Sequence, residues 1–206
     1  MFNQKGNISK VKLQTSNSTG IPIWFMRQAG RYLPEYQVAM NPIKNFFDAC
    51  YNPELLTELT LQPIRRFDFD AAIIFSDIMV LLDCMGFDVE FLRGHGPVIS
   101  EERKHTRTAD ECFHRLSPVL DGIRMVRHAL PPSKALIGFA GAPWTLLTYI
   151  LGKDKNFARL RTAFHLQEKY VFNLLHELTE LTSKYLIKQI ECGADLIQLF
   201  DSNAYV

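Results

Sequence analysis

Short apolar runs alternate along this 206-residue chain with longer stretches whose apolar residues recur every three or four positions. Residues 22–25, 71–75, 135–140 and 195–200 read as strands, and 71–75 is apolar at every position, as a strand buried on both faces must be. Helical patterns lie between them. Asn52-Pro53-Glu54 supplies a capping residue, a proline for the first helical position and an early acid. Leu55, Leu56 and Leu59 then mark a buried helix side, which we expect Pro63 to kink or interrupt. Ser117-Pro118 opens another helix, with Val119, Leu120, Ile123 and Val126 at helical spacing, and Pro131-Pro132 stops it. Gly141-Ala142-Pro143 leads into a helix carrying Trp144 and Tyr149. A long helix over 164–192 places Leu174, Leu178, Leu181 and Tyr185 on one face and ends at Gly193. Residues 87–100 read as a hairpin, with Val89 and Phe91 alternating before a Gly-His-Gly-Pro turn. Four apolar strands separated by helices predict parallel βα units in an α/β fold, either a barrel or an open doubly wound sheet.

Composition narrows the function classes. At 47% hydrophobic and 22% charged the chain is of globular type, and one domain is expected over residues 21–206 after a polar, flexible lead-in over 1–20. That lead-in holds Lys5, Lys10 and Lys12 but neither the apolar core of a signal peptide nor the arginine richness of a transit peptide. A net charge of +1 without any basic block argues against a nucleic-acid partner. No window approaches the roughly 20 apolar residues of a membrane span, so no membrane partner is expected. Cys50, Cys84, Cys112 and Cys192 form no Cys-x-x-Cys pair, which predicts reduced thiols and a cytoplasmic protein rather than a zinc site or disulfide framework. The six histidines show no metal-ligand spacing, and His95, between glycines, reads as an exposed turn residue.

The chemistry-bearing residues fall at strand ends. Arg27 and Arg31 follow the first strand on a loop, held four residues apart by Gln-Ala-Gly. A guanidinium grips a carboxylate in a bidentate fork, so the pair suits a polyanion; surface ion pairs, or stacking on Trp24 or Tyr32, are the plain alternative. Asp77 follows the second strand, as an acceptor in a site or as a cap for the next segment. The Gly141-Ala142-Pro143 turn and Asp201-Ser202 follow the third and fourth. In parallel α/β folds that carboxyl edge is where ligands bind.

Three segments carry a resemblance. Pro22-Ile23-Trp24-Phe25-Met26-Arg27-Gln28-Ala29-Gly30-Arg31-Tyr32-Leu33-Pro34-Glu35 resembles the arginine-rich N-terminal signature of the uroporphyrinogen decarboxylase family. Ile73-Ile74-Phe75-Ser76-Asp77 resembles the family segment whose aspartate binds the four pyrrole N–H groups of the substrate, and the run from Gly138 to Tyr149 is similar to its glycine-rich second signature. The resemblance implies a (β/α)8 TIM barrel, homodimeric in the full-length family, that removes CO₂ from the four acetates of uroporphyrinogen to give coproporphyrinogen in haem biosynthesis, without a cofactor. It implies catalytic roles for Asp77, Arg27 and Arg31. Phe46, Tyr149 and Ser202 join them in contact with the tetrapyrrole polycarboxylate. On their residues alone, Tyr149 reads as a core aromatic and Ser202 as a turn residue.

The chain also departs from that pattern. It offers four strands against the family's eight, and no counterpart of the family's C-terminal active-site histidine. It ends in Tyr205-Val206 where the family continues with a glycine. We therefore expect a truncated chain, the N-terminal half of the barrel with about four βα units, inactive alone and prone to associate through its open edges. Met40 stands where close relatives often have an arginine, which removes one carboxylate contact. The alternatives are a non-functional fragment and the related cobalamin-dependent methyltransferase barrel, whose zinc ligands would lie mainly beyond this chain.

Overall fold

Apolar strands need partners on both faces, and the chain supplies them with helices. The computed structural model describes residues 21–92, 96–152 and 157–205. A parallel sheet of three strands, β1 (Ala71–Ile73), β4 (Ala135–Gly141) and β5 (Leu196–Phe200), runs in the order β1-β4-β5. Its register pairs Ala71 with Ala135, and Ile137 with both Ile73 and Leu196. The central β4 is buried at every residue, which is why its sequence is apolar throughout. An antiparallel hairpin of β2 (Phe87–Leu92) and β3 (Gly96–Arg103) forms where the alternation predicts one, with a bulge between Phe87 and Val89. His95 and residues 1–20 lie outside the described residues.

The helices are α1 (Pro34–Met40), α2 (Phe46–Cys50), α3 (Pro53–Phe67), α4 (Val80–Cys84), α5 (Ala109–Ala129), α6 (Pro143–Leu151), α7 (Ala158–His165) and α8 (Lys169–Glu191). Glu35 of α1 and Arg66 of α3 meet in a two-pronged ion pair at 2.7 and 2.8 Å that holds the Glu35 carboxyl at about 2. This pair docks α1 and the loop before it on α3. Among the described residues no helix is long and apolar enough to cross a membrane.

Four expectations need correction. Residues 22–25 form no ladder: Pro22 has no N–H, and among the described residues the only backbone-to-backbone bond made there runs from Asp70 N to Ile23 O, at 3.1 Å. The parallel sheet of the described residues therefore has three strands and not four. Pro63 does not interrupt helix α3, because burying Leu56, Leu59, Pro63 and Ile64 on one side outweighs the roughly 3 kcal/mol that an interior proline costs. Helix α5 starts at Ala109 rather than near Ser117, with Pro118 in its interior. Its start is a capping box in which Thr108 Oγ1 accepts from Glu111 N and Glu111 Oε2 accepts from Thr108 N, at 3.3 and 2.7 Å. Thr108→Ala is expected to cost about 1 kcal/mol, measured as a lowered urea midpoint with an unchanged slope. Finally, the helix predicted over 164–192 is two helices, broken where Gln167 adopts a left-handed φ of 55°. Leu160 and Ala163 are buried from α7, and Val171 and Leu174 from α8, so each helix docks by its own apolar face.

Candidate functional site

At the carboxyl edge of the sheet the chain leaves each strand towards one hollow. From β1 it passes through Ile74, Phe75 and Ser76 to Asp77, and Phe75 N donates to the buried Thr60 Oγ1 of α3 at 2.9 Å. Asp77 then turns back on itself, its Oδ1 accepting from Met79 N at 2.8 Å. Asp77 is therefore not the cap of α4, whose N-cap is Met79 without a side-chain bond; its carboxylate closes the turn before that helix with one oxygen.

After β4, Ala142 holds an extended conformation and Pro143 starts α6 at its first position, where a missing N–H is harmless. After β5 the turn is stitched to α6. Asp201 Oδ1 accepts from Thr145 Oγ1 at 2.7 Å, Asn203 N donates to the same hydroxyl at 3.2 Å, and Asn203 Nδ2 donates to Thr148 Oγ1 at 2.7 Å. Trp144 Nε1 donates to Asn203 O at 3.1 Å. These bonds place Ser202, on the turn, and Tyr149, one helical turn beyond Thr145, against the same space.

That space is a cavity of about 480 Å³ lined by Arg27, Phe46, Asp77, Tyr149 and Ser202 among others. Ile73, Phe139 and Phe200 supply apolar wall, and Pro97 of the hairpin closes one side. Phe46 is the first residue of α2, its ring 5.6 Å from that of Phe75 and 5.0 Å from that of Phe91. Burial pushes the Asp77 carboxyl above the ordinary aspartate range, against the opposing pull of the Met79 N–H. Burial likewise raises Tyr149; the Asp77 charge adds to this and the Arg27 charge opposes it, so phenol, carboxylate and guanidinium act on one another across the cavity.

Arg31 is not among the lining residues. It is exposed, and its charge reaches the site through Tyr36, whose hydroxyl it pulls down against the dominant effect of burial. Trp24 is 38% exposed, whereas Trp144 is half-buried and packs against the core, outside the cavity lining. Met40 is half-buried and packs against the core. All four cysteines are free thiols and buried. Among the described residues no three His, Cys, Asp or Glu side chains converge as a metal ion would require.

Two residues of the site escape a reading by pattern. Gln28 is 2% exposed, and its amide bonds the backbone of β1. Thr145, fully buried, anchors the turn that carries Ser202. Both lie inside motifs visible in the sequence, yet their partners are far away in the chain. In chemical terms, the cavity offers an acceptor at its centre, a cation and hydroxyls around it, and apolar walls between.

The description "Uroporphyrinogen decarboxylase (URO-D)" belongs to the family model that matches residues 12–206. A protein of Wolbachia sp. subsp. Drosophila simulans named uroporphyrinogen decarboxylase is 48% identical over 208 residues, covering 99% of this chain and 61% of that protein. Those named the same in Brucella anthropi and Rickettsia canadensis are 45% and 46% identical, with 88% and 90% of this chain and 54% and 56% of theirs covered. The chain thus spans about three fifths of the length of the curated relatives it matches. Among solved structures, a methyltransferase from Methanosarcina mazei superposes with a TM-score of 0.63 over 89% of this chain and 55% of its own, at 19% identity, a likeness of fold alone.

Proposed function

Because this chain belongs to the uroporphyrinogen decarboxylase family, we propose that its cavity binds uroporphyrinogen and serves the stepwise decarboxylation of the four acetates to give coproporphyrinogen. The observation that carries the reading is Asp77: a half-buried carboxylate with one oxygen on Met79 N and the cavity before it. Such a group accepts several N–H bonds at once, which suits a macrocycle that points its four pyrrole N–H groups at its own centre.

Loss of CO₂ leaves an electron pair that needs a sink. A proton added to the ring carbon next to the one bearing the acetate makes the pyrrole an iminium-like cation. The C–CO₂ bond then breaks, its electrons neutralise the cation as an exocyclic methylene, a second proton turns that methylene into a methyl group, and the first proton leaves the ring. Asp77 would stabilise the cation from a site of low dielectric. Arg27 would hold the reacting side of the macrocycle by its carboxylates, with Tyr149 and Ser202 hydrogen-bonding others, and Arg31 would meet carboxylates at the mouth beside Tyr36. Phe46 would pack against the pyrrole faces.

Arg27→Ala is expected to weaken uroporphyrinogen binding about 10- to 100-fold, and Arg31→Ala less, measured by anaerobic equilibrium dialysis. Full-strength binding by both variants, or none by the parent chain, would overturn the reading. The expectation that this chain is inactive alone and associates draws on its exposed apolar residues, Ile187 and Ile190 of α8 and Leu199 of β5. A soluble monomer with rapid turnover would refute that part while leaving the site assignment standing.

A further inference from the structure

The loop bearing Arg27 has little to hold it. The chain from 21 to 33 contains no helix or strand, and residues 21–27 are all exposed; the Phe25 ring lies 5.3 Å from that of Phe69 and Leu33 is buried in the core, but Arg27 itself stands between these two apolar contacts. At its start Ile23 is tied to Asp70, by Ile23 N to Asp70 Oδ2 at 2.7 Å and Asp70 N to Ile23 O at 3.1 Å. At its end Leu33 N donates to Gly30 O at 3.0 Å, and the Tyr32 hydroxyl donates to Gln28 O. Between these ties one side chain turns inward: Gln28, which is 2% exposed.

Its two amide atoms are both engaged. Gln28 Nε2 donates to Ala71 O at 2.8 Å and Gln28 Oε1 accepts from Ile73 N at 3.4 Å. On its other side β1 bonds β4, through Ile74 N to Ile137 O and Ala135 N to Asp70 O. The groups met by Gln28 are therefore those that a strand flanking β1 on its outer edge would use. A carboxamide matches them because it carries a donor and an acceptor side by side, as a peptide group does. The carboxylate of a glutamate could accept from Ile73 but not donate to Ala71. Methionine, of similar length, could do neither.

We propose that Gln28 is the positioning residue of the site: by standing in for a strand on the outer edge of β1, its side chain sets where Arg27 stands relative to Asp77. The inference rests on the proposed binding of uroporphyrinogen, which it deepens by saying what keeps the cation and the carboxylate in register. Arg27 and Ala29, its neighbours in sequence, both line the cavity, and Ile73 lies four residues before Asp77 on the clamped strand. The clamp thus couples the two walls directly.

The test uses the 206-residue chain and two readouts. In the first, the backbone amide of Ile73 is followed by hydrogen exchange in the parent, Gln28→Met and Gln28→Glu. We expect Gln28→Met to speed exchange at Ile73 at least about 10-fold and Gln28→Glu to speed it less, because the glutamate keeps the acceptor. In the second, uroporphyrinogen binding is measured for Gln28→Met with and without Arg27→Ala. We expect a loss of about 10-fold in the presence of Arg27 and under about twofold in its absence, since a residue that acts through Arg27 has nothing left to position. Equal losses in both backgrounds would mean a merely structural role and overturn the proposal, as would unchanged exchange at Ile73. The exchange readout needs no ligand: if the parent chain does not bind uroporphyrinogen, the functional reading fails, and Ile73 still decides for or against the clamp.

Discussion

Asp77→Asn is expected to lower uroporphyrinogen binding by about 10²- to 10³-fold while leaving the protein at least as stable at neutral pH. The two effects have opposite sign for one reason. Asp77 is half-buried, and its partial removal from water raises its pKa in the folded protein above the ordinary value. A group with a raised folded pKa contributes stability that is fully present below its unfolded pKa, about 3.9, and lost as pH rises through the folded one. At pH 7 the ionised carboxylate is therefore a cost to the fold, which asparagine removes, while its Oδ1 still accepts from Met79 N. Stability curves of parent and variant should converge below about pH 3.9 and separate, with the variant higher, towards neutrality. The parent's binding should fall on acidification at a pH above the ordinary aspartate range, and the variant should lack that limb. A variant that binds as well as the parent sinks the assignment; one that loses binding and stability together shows Asp77 to be structural.

Gln189→Leu is expected to destabilise the fold by about 2–6 kcal/mol, a large part of the roughly 5–15 kcal/mol that holds a domain together. Gln189 projects from α8 and is fully buried. Its Nε2 donates to Phe139 O and its Oε1 accepts from Phe139 N, each at 2.8 Å. Beyond Ile137, β4 has no β1 residue beside it, so this side chain completes the backbone pairing of the central strand. Gly138 makes the approach feasible: a Cβ there would lie 2.4 Å from Gln189 Oε1. Leucine would leave two buried backbone groups unpaired, whereas Gln189→Glu keeps the acceptor but buries a carboxyl that must stay protonated to donate to Phe139 O, so its cost should rise from acid to neutral pH. Urea denaturation measures both, and a loss below about 1 kcal/mol for Gln189→Leu would show that β4 does not depend on this clamp. Phe139 also lines the cavity, so the variant should disturb binding in step with stability.

Gln28 and Gln189 also show why part of the site was not legible. Each is a polar residue in an otherwise readable segment, and each is buried because its amide completes a strand 43 or 50 residues away in the chain. Pattern reading assigns glutamine to the surface. Nothing local announces an exception. The missed start of α5 differs in kind, for Thr108-x-x-Glu111 is a capping box written in the sequence, and Pro118 drew attention from it. Residues 22–25 were misread because an apolar run meets the composition of a strand without having a strand to pair with. Three of the four strands followed from their apolar runs and the hairpin from its alternation, and the break at Gln167 was invisible because the apolar spacing continues across it.

The sequence by itself determined which residues could do chemistry and that Asp77, the Gly141-Ala142-Pro143 turn and Asp201-Ser202 follow strand ends, because apolar runs and helix start signals are local properties of the chain. It also carried the family, through runs long enough to be recognised without a structure. Only the tertiary structure decided which of those residues share a cavity. Asp77, Tyr149, Arg27, Phe46 and Ser202 face one space, while Arg31 stands outside its lining. The direction of a side chain on a loop depends on what holds that loop, and here the hold is the outer edge of β1, a surface that exists only once the sheet has formed.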